Sequence, residues 1–340
     1  NTFVGGLAGA SVTTGQRNVF LGAFAGDAIT EGQQNSALGR SALTTDTLGS
    51  RNVAVGTDAL SIQNFTTATN SYNVAMGHSA GAAVTTGVNN VLIGGLAGDA
   101  MTDADDNVAV GMQALSTNIL GSNSVAIGKD ALLDQNPATA TDMYNVAVGH
   151  HAGRLVSTGV FNTLIGGLTG DSLTTGVNNV AVGYAALSSD DVGNQSVAIG
   201  FGALNQQNFA TGTDGFNVAV GSKAGESVTT GVQNTLIGGQ AGTSLTTPNQ
   251  NVAVGHGALD AETAGARNTA IGTNSLTSQN VTTGGNVYNV GLGYFAGANI
   301  TTGLNNTLIG SLAGDALTDA DANVAIGKSA LSADTLGSKS

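Results

Sequence analysis

The pentapeptide Asn52-Val53-Ala54-Val55-Gly56 returns as Asn90-Val91-Leu92-Ile93-Gly94 and as Asn162-Thr163-Leu164-Ile165-Gly166. Nineteen copies run through the 340 residues, each with glycine at the fifth place. The copies that start at 1, 18, 35, 52 and 73 give spacings of 17, 17, 17 and 21, and the starts 1, 73, 145, 217 and 289 lie 72 residues apart. Self-similarity at a fixed short period marks an array of one repeated structural unit, in which each copy buries its face only against its neighbours. The chain therefore reads as one continuous array over 1-340, with super-repeats 1-72, 73-144, 145-216 and 217-288 and a partial 289-340. Ser340 falls on the first place of a further copy, and neither end departs from the pattern, so the expectation is an internal segment of a longer fibre.

Composition narrows the class. Charged residues are 9% of the chain, glycine is 52 of 340, there are 2 prolines, and Cys and Trp are absent. Collagen needs glycine at every third place, and a disulfide framework needs cysteine, so both are excluded. A hydrophobic content of 41% argues against disorder. No apolar run approaches the roughly 20 residues that span a bilayer as a helix, so membrane insertion is not expected. The net charge of −13 opposes a phosphate backbone, so no nucleic-acid partner is expected.

Seventeen residues suit one turn of a parallel β-solenoid. Place 2 is Val or Thr except at Ser36, and place 4 is aliphatic except at Met76, as in Val55, Ile93 and Ile165. Alternating β-branched residues predict a strand. Glycine at place 5 predicts a corner or a close backbone approach. Place 8 is Ala except at Thr169 and Ser275, which predicts an inward site. Second and third strands are expected near places 7–9 and 11–14. Place 1 is Asn except at Ser124 and Ser196, and stacking would align these amides into a ladder. The fold expected is all-β, a parallel β-solenoid or β-roll of about 19 stacked turns in a 17-17-17-21 super-repeat.

Place 3 carries the argument for self-association. If places 2 and 4 point inward, place 3 should be polar, yet it is apolar or glycine throughout, as in Phe3, Ala75 and Leu164. A strand apolar on both faces is covered on both. Other copies of the chain are the simplest cover.

The segments Asn123-Ser124-Val125-Ala126-Ile127-Gly128 and Gln195-Ser196-Val197-Ala198-Ile199-Gly200 resemble the head repeats of YadA-type trimeric autotransporter adhesins. The longer unit Asn179-Val180-Ala181-Val182-Gly183-Tyr184-Ala185-Ala186-Leu187 also resembles tail-fibre-like repeats of bacterial and phage proteins. The resemblance covers the whole array at six to nine places per copy. It implies a left-handed parallel β-roll, a homotrimer and an extracellular setting on a cell surface or virion. The copies here are longer than adhesin-head repeats, which are typically near 14 residues, and no neck, stalk or anchor is present in the sequence. The function expected is a non-enzymatic structural fibre or adhesin segment.

An alternative is a glycan or host-surface binding module built on the four insertions, Gln63 to Tyr72, Gln135 to Tyr144, Gln207 to Phe216 and Gln279 to Tyr288. The terminal aromatics are expected to lie as lids on the turn edge, and Phe65 and Phe209 are the expected ligand-contact platforms. Asp103, Asp105 and Asp106, with Asp319 and Asp321, form acidic corners of the kind that suits calcium. No other cofactor is indicated. The paired threonines Thr13-Thr14, Thr85-Thr86, Thr229-Thr230 and Thr301-Thr302 invite an ice-binding reading, but adjacent strand residues point to opposite faces. Gly77-His78-Ser79-Ala80-Gly81 matches a nucleophile elbow by letter only, because its counterpart is Gly149-His150-His151-Ala152-Gly153. Gly327-Lys328-Ser329 has Ala322 where a phosphate loop needs glycine. His78, His150 and His256 fall on separate turns, too far apart to share a metal. No constellation points to an enzyme.

Overall fold

A computed structural model describes residues 1–339; the reading of Ser340 as the start of a further copy lies outside them. The chain divides into two compact units, Asn1–Leu168 and Thr169–Ser340. In the first, ten strands of three residues, from Thr2–Val4 to Thr163–Ile165, pair in parallel with their successors. Register is strict: Val53 faces Val74, and Val74 faces Val91. In the second, nine strands from Val180–Val182 to Val324–Ile326 stack in the same way. The architecture is an all-β parallel solenoid of nineteen turns, and among the described residues there is no helix.

A three-residue strand turns one residue to one side and two to the other. The inward residue is the one at place 3: Phe20, Ala54, Leu92 and Leu164 have no exposure. Places 2 and 4 face outward. This reverses the inward assignment expected for the β-branched residues. The reason is room, because the interior already holds the columns at places 1, 8, 9 and 12, represented by Asn52, Ala59, Leu60 and Gln63, all fully buried.

The interior packs by exchanging volume between places 3 and 9. Where place 3 is Phe20, place 9 is Gly26, and a methyl group there would lie 2.7 Å from the Phe20 ring. Where place 3 is Ala54, place 9 is Leu60. Gly81 faces Ala75 on its own turn, and its gap is filled by Leu92 from the next turn and Leu60 from the one before. Interiors tolerate neither voids nor excess volume, so these columns fix one another turn by turn.

The glycine at place 5 is a close-approach residue. Its φ lies between 122° and 148°, and a Cβ on Gly94 would run into the carbonyl oxygen of Gly111 on the next turn. Beyond this corner the chain leaves strand geometry. Place 7 (Leu96, φ 58°), place 9 (Leu60, φ 49°) and place 17 (Arg51, φ 65°) are left-handed. Left-handed residues at places 7 and 9 curl the backbone there and prevent a pleat. The expected strand at places 7–9 is therefore absent, and among the described residues none forms at places 11–14, although main-chain bonds to the next turn persist, as in Leu43 N–H to the Ala59 carbonyl at 3.0 Å. Among the described residues, short second strands occur only beside the longer turns: Gly49–Ser50 with Thr69–Asn70, Gly121–Ser122 with Thr141–Asp142, and Gly265–Ala266 with Gly285–Asn286.

The asparagine column is buried and mostly bonded to backbone. Asn18 Oδ1 accepts from Asn35 N–H at 2.9 Å, and Asn18 Nδ2 donates to the Gly32 carbonyl at 2.8 Å. One side chain thus closes its own turn and fastens the next. Direct amide–amide bonds are secondary, as from Asn52 Nδ2 to Asn35 Oδ1 at 3.2 Å.

Candidate functional site

Two surfaces and one buried network carry chemistry. The first surface is the outer face of the stacked strands. Places 2 and 4 form columns of largely apolar, half-exposed side chains, including Leu38, Met76 and Ile127 in the first unit and Ile199, Ile237 and Leu292 in the second. An apolar hollow of about 270 Å³ opens on this face, lined by Val19, Leu21, Leu38 and Val55. Both faces of the strand are apolar, as the sequence predicts, with the exposed face now at places 2 and 4.

The second surface is the left-handed corner at place 17, where each turn meets the next. Arg51 Nε donates to Gln34 Oε1 at 3.0 Å, Arg51 Nη1 donates to the Tyr72 hydroxyl, and the guanidinium lies 5.2 Å from the Tyr72 ring centroid. The second unit repeats the arrangement: Arg267 Nε donates to Gln250 Oε1 at 2.9 Å and Nη1 to the Tyr288 hydroxyl at 2.7 Å. Tyr144 stacks on Phe161 with centroids 5.6 Å apart. The insertion-ending aromatics are thus half-exposed members of a surface column. They do not cover the turn edge as lids. Beside Arg51 an open polar groove of about 450 Å³ runs under the first insertion.

The expected platforms are elsewhere. Phe65 is 6% exposed and Phe209 is 3% exposed. Phe209 packs over Gly193 and Gly215, so neither ring offers a face to a ligand. The equivalent slots hold Pro137 and Val281, which marks the place as apolar filling.

Among the described residues no three His, Cys, Asp or Glu side chains converge into a group that could hold a metal ion, the acidic corners included. Asp105 and Asp321 fasten the turn before them. Asp105 Oδ1 accepts from Val88 N–H and Asp321 Oδ1 from Leu304 N–H, both at 2.7 Å. Asn194 serves Val177 at 2.9 Å and Ser50 serves Gln33 at 2.9 Å in the same way, so charge is incidental to the place. Asp103 accepts from Thr86, and Asp319 from Thr318 at 3.3 Å. Asp106 occupies the left-handed corner with φ 57°. Burial raises the Asp105 pKa, with Asp103, Asp106 and Asp142 adding repulsion against the Val88 bond.

Other sequence candidates resolve simply. Ser79 lies in a turn with φ 53°, away from any strand-to-helix junction. The first threonine of each pair is tied down, as in Thr85 Oγ1 to the Thr102 carbonyl at 3.0 Å. His150 stacks on His151 at 3.8 Å, and His151 Nε2 lies 3.0 Å from Asp130. Burial opposes ionisation of Asp130, but Lys129 at 2.8 Å and His151 outweigh it and hold the carboxyl below its ordinary range.

Sequence reading missed the buried network at place 12. Asp46, Asp190 and Glu262 are fully buried. Asp46 Oδ1 accepts from Gly49 N–H at 2.9 Å, and Oδ2 accepts from Gln63 Nε2 at 2.7 Å. Gln63 Oε1 in turn accepts from Asn73 Nδ2 at 2.8 Å. Burial raises the pKa of Asp46 and of Asp190, partly offset by these bonds. Aligning place 12 shows the signal: apolar, apolar, acid or Asn, then Gln, with the glutamines at 63, 135, 207 and 279.

No protein-family model matches the chain, and comparison with curated protein sequences gives no match.

Proposed function

We propose that this chain is a non-enzymatic structural segment of an extracellular fibre or adhesin. In this reading it acts as a rigid β-solenoid shaft or head of a bacterial surface or phage fibre, assembled as a homotrimer, with the 17-17-17-21 super-repeat as its structural period. The observation that carries the proposal is the aliphatic outer face. Water-exposed apolar columns of this kind mark interaction surfaces, and each turn adds a small burial worth roughly 25 cal/mol per Å². Three copies packed through places 2 and 4 would cover the face. The interior supports a mechanical role, because buried asparagine and glutamine bonds fasten every turn to the next. The repeat resemblance to adhesin heads and tail fibres supports the extracellular setting.

Light-scattering mass tests the reading. The expected result is three copies of the 33.2-kDa chain. Leu38→Glu with Ile237→Glu should give a single-chain mass while the β-rich spectrum persists. A native chain that stays single at every concentration overturns the assembly.

A further inference from the structure

We propose that the groove under the first insertion binds a carboxylated sugar residue. The chain carries only 9 Lys and Arg against 22 acids, yet two of those bases, Arg17 and Arg51, line this one groove. They occupy place 17 two turns apart, about 10 Å along the stack, with Gln34 between them. Arg51 uses Nε and Nη1 within the column, which leaves Nη2 for a ligand. Gln34 spends Oε1 on Arg51, which leaves its amide nitrogen as a donor. Arg17 adds its guanidinium. The result is a row of donors matched to a carboxylate, and charge-assisted bonds of this type are the strong ones.

The rest of the groove selects against a bare anion. Glu31 and Asn70 also line it and supply acceptors for hydroxyl groups. A phosphate or sulfate would meet Glu31 as repulsion, whereas a sugar acid presents hydroxyls to it. The volume of about 450 Å³ lies in the range of small-molecule sites and suits one or two sugar rings. The groove shares no residue with the apolar hollow on the outer strand face, so the proposal goes beyond the scaffold reading and stands without it.

The chain carries its own control. Seventy-two residues on, the places of Arg17, Gln34 and Arg51 hold Asn89, Asp106 and Asn123. Those of Glu31, Gln33 and Asn70 hold Asp103, Asp105 and Asp142. The same backbone there presents an acidic wall.

Saturation-transfer NMR and calorimetric titration of the full chain with 3′-sialyllactose and with glucuronic acid test the assignment, and the two arms separate the sialic from the uronic type. Lactose and inorganic sulfate are the controls. Saturable binding of at least one acid is expected near about 1 mM, with lactose silent and sulfate weaker. Arg17 is exposed and makes no structural bond, so Arg17→Ala should weaken that binding about ten-fold or more at unchanged Tm. Failure of both acids to bind overturns the proposal, as does equal binding of lactose or sulfate, or full retention of binding by Arg17→Ala.

Discussion

Gln63 Nε2 donates to Asp46 Oδ2 at 2.7 Å, with both side chains sealed from water. The pair links consecutive turns, and the same contact joins Gln207 to Asp190 at 2.7 Å. Asn118 replaces the acid in the second instance, and there Gln135 Nε2 turns to Ser124 Oγ at 3.1 Å.

Asp190→Asn should therefore stabilise the protein by about 1 kcal/mol at neutral pH. The amide can copy Asn118, which accepts from Gly121 N–H and donates to the Gly121 carbonyl. Gln207 keeps Ser196 Oγ at 3.1 Å. Asp46→Asn should instead destabilise, by about 1–3 kcal/mol, because Asn52 stands where Ser196 would be and Gln63 Nε2 loses its acceptor. Thermal melts of the two variants should move in opposite directions.

Acidification should raise stability at first. The pKa values of Asp46 and Asp190 are raised in the folded state by burial, so the native chain holds these protons more tightly than the unfolded chain. Their contribution grows as pH falls through the folded pKa and is complete below the ordinary carboxylate value near about 4. Asp130, held low by Lys129 and His151, acts oppositely, and its contribution is lost as pH falls further. Tm measured from pH 7 downward should rise and then fall, and Asp190→Asn should flatten the rise.

Gly94→Ala should cost about 3 kcal/mol or more, since strained backbone and a collision with the Gly111 carbonyl add. Its neighbour Gly95 has open space around an added methyl group, so Gly95→Ala should leave stability within about 0.5 kcal/mol. Denaturant midpoints of the two single variants check the contrast.

Phe209→Ala should destabilise by about 3 kcal/mol through the cavity it leaves. Urea unfolding should show this loss, while binding of glucuronic acid or 3′-sialyllactose, which rests on Arg17 and Arg51, should survive in the folded variant.

Much of the fold was legible because the pattern is written nineteen times. The strand, the glycine corner and the asparagine column each follow from one residue type at one place. The inward face is not legible, because β-branched residues signal a strand without saying which side is buried, and Ala54 at place 3 gains meaning only when Leu60 at place 9 is set against it. The strands expected at places 7–9 failed because nothing in Leu96 or Leu60 announces a left-handed backbone. Phe65 and Phe209 sit on insertions, which are usually exposed, and only the apolar Pro137 and Val281 in the equivalent slots mark the place as interior. The polar groove was hidden because its residues lie 17 apart in sequence, and only stacking brings Arg17, Gln34 and Arg51 into one line.

The hydrogen bonds described above join residues no more than 21 positions apart. Folding then needs no distant segment to arrive. Any short block of rungs can serve as a nucleus, growth proceeds by zippering outward, and the slow step is the first block instead of the length of the chain.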